Sequence, residues 1–92
     1  MGDPRFDDAQ LDKFRAEITE IDRLIFDAVN RRLDLVAQLR RYKAEQGLPF
    51  VDPERERQIV EERVAENRGP LSDAGVRRLY EELLALVKRE LG

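Results

Sequence analysis

Between Leu11 and Tyr42, apolar side chains return at steps of three and four residues: Leu11, Phe14, Ile18, Ile21, Ile25, Ala28, Leu35, Leu39 and Tyr42. That spacing draws one stripe down a helix. The gap in it, between Ala28 and Leu35, is filled by Arg32. Asp7 or Asp8 can cap the start, where acidic groups suit the positive end of the helix. The pattern then continues to about Glu45. Gly47 can adopt the left-handed conformation that ends a helix, and Pro49 cannot continue one. The predicted helix has roughly 35 residues and a length of about 52 Å. A compact globule of 92 residues is only about 32 Å across, so the stripe outruns what a monomer can cover.

A second helix announces itself in VDPERERQIV. Asp52 is placed to cap it and Pro53 to occupy its first position, where a missing N–H does no harm. It should run to about Asn67, with Ile59, Val60 and Val64 inward and Glu56 at the edge of that face. Asn67, Gly69 and Pro70 stop it. Ser72 caps a third helix, in which Val76, Leu79, Tyr80, Leu83, Leu86, Val87 and Leu91 recur at helical spacing and form its core face. The fold class is therefore all-α, with three helices per chain and a long first one. Residues 1–7 are expected to be a flexible N-terminus and residues 8–92 a single domain. Two short helices cannot cover the long stripe, which predicts an intertwined helical homodimer with the long helices paired.

Composition narrows the chemistry. The chain has no cysteine and no histidine, so thiol nucleophiles, disulfides, serine-histidine triads and the usual zinc ligands are excluded. No cofactor and no metal site is expected. A net charge of -3 and the lack of a basic run with interleaved aromatics give no push toward nucleic acid. The opening MGDPRFDDAQ does not resemble a secretory signal, and no apolar run reaches membrane-spanning length. A cytoplasmic protein without a membrane segment is the expectation.

What remains is charge in an unusual place. Arg32 stands in the apolar seam, while Arg15 and Lys43 follow Phe14 and Tyr42 at its shoulder. A buried unpaired cation costs several kcal/mol, so something anionic should meet it. Arg32 and Lys43 are roughly 16 Å apart along the axis and point in nearly the same direction. Arg15 is about 25 Å from Arg32 on the same helix, so it can join that site only from a second chain. Asp52, Arg55 and Glu56 lie in the first turn of the second helix, where free backbone donors also point outward. Together these groups suit a small dianion that carries a hydroxyl. Plainer readings exist: Arg15 and Lys43 can lie along an apolar face with their heads in water, Arg32 can form a buried ion pair that fixes register, Asp52 is a cap in any case, and Arg55 and Glu56 suit a solvated turn.

Jointly, FRAEITEID, NRRLDLVAQLRRYK and VDPERERQIV, with their spacings, resemble the all-helical chorismate mutases over about residues 11–67. The third helix resembles them more loosely. The resemblance implies an isomerase that converts chorismate to prephenate by an intramolecular Claisen rearrangement, without cofactor, nucleophile or metal. It implies that Arg15 from the partner subunit and Arg32 clamp two carboxylates. Lys43 would then bond the ether oxygen and a carboxylate, Asp52 and Glu56 would take the ring hydroxyl, and Arg55 would orient the acidic turn and the substrate. Family members carry a serine and a glutamine or glutamate where this chain has Val87 and Leu91, so Lys88 or Arg89 would have to substitute, or the protein would be slow alone. EQGLPFVDPERER, ENRGPLSD and the basic tail Lys88-Arg89-Glu90-Leu91-Gly92 resemble short mutases fused to, or activated by, the synthase that opens the shikimate pathway (DAHP synthase). The alternatives are a regulatory subunit that binds chorismate or prephenate and modulates that synthase, a related pyruvate lyase acting on isochorismate, and a structural bundle with no ligand.

Overall fold

The structure is a computed structural model that describes residues 8–92. The expected flexibility of residues 1–7 lies outside them. The described residues contain three helices and no strand: α1 (Asp8–Glu45), α2 (Pro53–Glu66) and α3 (Asp73–Leu91). The chain divides into two compact units, one ending at Asp34 and the other Leu35–Gly92.

In the first unit, α1 presents the stripe seen in the sequence. Leu11, Phe14, Ile18, Ile21 and Ile25 are all exposed in the isolated chain. Leu24 and Phe26, outside the predicted stripe, are more exposed still at 67% and 69%, so the apolar surface is broader than periodicity alone suggests.

In the second unit, α1 ends as Gly47 predicts. This glycine sits at φ +68, Leu48 N–H donates to Lys43 C=O at 2.8 Å, and Gly47 N–H donates to Ala44 C=O at 3.2 Å. These paired bonds satisfy carbonyls that the helix end would otherwise leave open. Asp52 caps α2, its side chain accepting from Arg55 N–H at 3.1 Å, with Pro53 immediately after it. Ser72 caps α3 in the same way, accepting from Gly75 N–H at 3.0 Å.

α2 packs against α3. Ile59, Val60 and Val64 are half-buried on α2, as are Tyr80, Leu83 and Leu86 on α3, and the buried residues are Val76 and Val87 at 9% and 6% exposure. Leu79 departs from expectation: it is 55% exposed rather than core. It lies about 80° round the helix from Val87, off the centre of the face that Tyr80 and Val87 share. Removing two methyl groups from the most buried position should be felt, so Val87→Ala is expected to cost about 2 kcal/mol, measured from the urea midpoint at unchanged slope.

Candidate functional site

The six candidate residues fall in both units. In the first, Arg15 is exposed and Arg32 is half-buried. Both ride on α1, seventeen positions apart, or about 25 Å along the axis, so one chain cannot bring them together. The half-burial of Arg32 agrees with its place in the seam.

The second unit holds Lys43, Asp52, Arg55 and Glu56. Lys43 is half-buried, and its Nζ donates to the Phe50 carbonyl at 3.1 Å. An ammonium has three donors, so this bond fixes the direction of the group while leaving two for an anion. Asp52 is exposed, with one carboxylate oxygen engaged at the cap. Arg55 is exposed, and its guanidinium lies 3.6 Å from Glu62, seven residues on and on the same helix face, rather than over the acidic turn. Glu56 is half-buried and lines an open cavity of about 500 Å³ between α2 and α3, together with Pro53, Val60, Arg77, Glu81 and Leu84. At the rim of this cavity Arg77 grips Glu61 with two hydrogen bonds, the second at 3.1 Å, and holds that carboxyl below its usual range. A carboxyl depressed in this way favours the folded chain at neutral pH, and the benefit fades as pH falls through its lowered pKa.

On α3, the positions that the resemblance expects to be polar hold buried Val87 and half-buried Leu91, while Lys88 and Arg89 are exposed in the last turn. Val87 is thus part of the α2–α3 core. Two further residues make contacts that the sequence pattern does not single out. Arg40 and Phe50 both touch the Lys43 region, the Arg40 guanidinium lying 4.5 Å from the Phe50 ring centroid. The signal was there in outline, as a cation one turn before Lys43 and a lone aromatic in the connecting loop. Among the described residues, no three carboxylates gather as metal ligands would, and no helix is long and apolar enough to cross a membrane.

The arrangement offers cations and hydrogen-bond donors along α1, and carboxylates at the start of α2. Cations of this kind bind and polarise anions, and the chain contains no thiol or imidazole.

Comparison with known proteins identifies the family. Among curated proteins, the chain is 38% identical over 56 residues to the 4-amino-4-deoxychorismate mutase of Streptomyces venezuelae, a match covering 61% of this chain and 53% of that protein. It is 36% identical over 84 residues to the T-protein of Enterobacter agglomerans, covering 89% of this chain and 21% of that protein. The chain thus spans about half the length of the first relative and about a fifth of the second. Two solved structures of chorismate mutase from Thermus thermophilus superpose on it. Form I gives a TM-score of 0.81 at 32% identity, covering 85% of this chain and 98% of that one. Form II gives 0.82 at 31% identity, covering 88% and 92%. The family described as chorismate mutase type II matches residues 14–90, and the chain belongs to that family.

Proposed function

We propose that residues 8–92 form a chorismate mutase domain, an isomerase that turns chorismate into prephenate in a site shared by two copies of the chain. The observation that carries this reading is the run of cations Arg15, Arg32 and Lys43 along the apolar side of α1, followed by the acidic first turn of α2, in a chain of this family. The reaction breaks one C–O bond and forms one C–C bond within a single molecule. No proton moves and no cofactor is consumed. The protein's work is to hold a dianion folded and to stabilise negative charge growing on the ether oxygen.

In this reading Arg32 and the Arg15 of a second copy fork the two carboxylates, a geometry that guanidinium groups suit. Lys43 meets the ether oxygen with donors that Phe50 leaves open. Asp52 and Glu56 accept from the ring hydroxyl, and Arg55 steadies their turn through its backbone N–H to Asp52, its guanidinium lying toward Glu62 instead. The apolar surface of α1 supports the homodimer, since residues such as Ile21 stay exposed until another chain covers them. The cytoplasm, where small anionic metabolites are available, is the proposed location.

The direct test is loss of chorismate absorbance with purified protein; no acceleration over buffer, with or without DAHP synthase, would end the reading. Asp52 separates two roles in the same assay. Asparagine caps a helix as well as aspartate, so Asp52→Asn is expected to keep the melting temperature while lowering kcat/KM about tenfold through loss of a charged acceptor. Asp52→Ala should lose the same activity and also about 1 kcal/mol of stability. Equal activity in Asp52→Asn and the unmodified chain would reduce this residue to a cap. Buried Val87 and apolar Leu91 favour a second reading, a regulatory subunit that binds chorismate or prephenate and modulates DAHP synthase; ligand binding without turnover would decide for it.

A further inference from the structure

We infer that Arg40 is a positioning residue for Lys43, acting through Phe50 from the C-terminal end of α3. The inference rests on the proposed role of Lys43 toward the substrate, but the contacts that carry it all lie within Leu35–Gly92. Arg40 is half-buried. Its Nη1 donates to the Leu91 carbonyl at 2.8 Å and its Nη2 to the Gly92 carbonyl at 2.8 Å. The last carbonyls of a helix lack intrahelical donors and sit at the negative end of its dipole. A guanidinium forked across two of them makes charge-assisted bonds in matched geometry.

The same guanidinium lies over the Phe50 ring, 4.5 Å from its centroid. The Lys43 ammonium approaches that ring as well, at 5.8 Å, and bonds the Phe50 carbonyl at 3.1 Å. Both distances fall within the range where a cation is attracted to an aromatic face. Phe50 stands in the loop between α1 and α2, and the backbone turn bonds donated by Gln46, Gly47 and Leu48 fall at the α1 end of that loop. Side-chain contacts therefore carry much of what places Phe50. The end of α3, Arg40, Phe50 and Lys43 form one chain of contacts. Removing Arg40 loosens the ring, the Phe50 backbone carbonyl shifts with it, and Lys43 loses the bond that aims it.

Two measurements test this, and the first does not depend on turnover. Acetylation by an N-hydroxysuccinimide ester, followed by peptide mass spectrometry, reads each lysine separately; the chain has three, Lys13, Lys43 and Lys88. In ligand-free protein, Arg40→Ala and Phe50→Leu are each expected to raise the Lys43 rate, relative to Lys13, about fivefold, since the ammonium loses its carbonyl partner. The second measurement is kinetic: kcat for chorismate should fall about tenfold in both variants with KM within about twofold, because misplacing a donor costs the transition state more than the bound substrate. Arg40→Lys, which keeps a cation over the ring, should recover part of both effects. A lower urea midpoint with unchanged Lys43 acetylation and unchanged kcat would overturn the inference and leave Arg40 a structural clasp. If the unmodified chain shows no turnover, the proposed function fails by itself, while the acetylation result still decides whether Arg40 sets Lys43.

Discussion

Mixed in equal amounts, unfolded and refolded together, the variants Arg15→Ala and Arg32→Ala are expected to regain about a quarter of the activity of the unmodified chain. Each alone should have lost about 10³-fold in kcat/KM. An arginine forking a carboxylate in a closed site is worth roughly 4 kcal/mol when its removal strands the partner charge, and each ~1.4 kcal/mol is tenfold. The regain follows from where the two side chains stand. They are too far apart on one helix to share a site, so the proposed site draws Arg15 from one chain and Arg32 from the other. Half of the mixed dimers are hybrids, and in each hybrid one site collects both lesions while the other has neither. If both arginines of a site came from one chain, every site in a hybrid would keep one lesion and mixing would restore nothing. Chorismate absorbance before and after mixing distinguishes these outcomes without any further structure.

The second large effect concerns folding itself. Ile21→Asp is expected to abolish the cooperative thermal transition at micromolar protein, because in the proposed homodimer it puts a charge into a surface buried between copies. Ile21 is 55% exposed in the isolated chain, and full burial would contribute about 1 kcal/mol or more per copy at ~25 cal/mol per Å². The carboxylate removes that gain and adds a desolvation cost of several kcal/mol. In the unmodified protein, tenfold dilution should lower the melting temperature by about 4 °C, the mass-action signature of folding coupled to association. A melting temperature indifferent to dilution, with monomers in sedimentation, would show that α1 is stable uncovered and would remove the shared site.

The helices could be read from the sequence because their ends are written in residues whose effect is local. Gly47 closes α1, Asp52 with Pro53 opens α2, and Ser72 opens α3, each through its own backbone or its next turn. Which face of α3 is buried was less clear. Leu79 fits the spacing as well as Leu83 does, but only the position of α2 decides the centre of the face, and that is a tertiary fact. Arg32 stood out because a cation in an apolar seam breaks a pattern, whereas Arg40 breaks none. Its value comes from two carbonyls fifty-one and fifty-two residues away, a distance no periodicity reports. Arg55 illustrates a third limit: position places its Cα in the acidic turn, but a long side chain can still turn along the helix toward Glu62. Val87 reads in sequence as a missing hydroxyl, while its burial marks a packing demand at that spot.

The grip of Arg40 on the Leu91 and Gly92 carbonyls has a practical side for protein engineering. Any substitution at Leu91 or Gly92 that redirects the backbone there moves two carbonyls away from that guanidinium. Gly92, at φ +85, is a position to leave unchanged when this end of α3 is redesigned, since a residue with a Cβ is strained in that conformation.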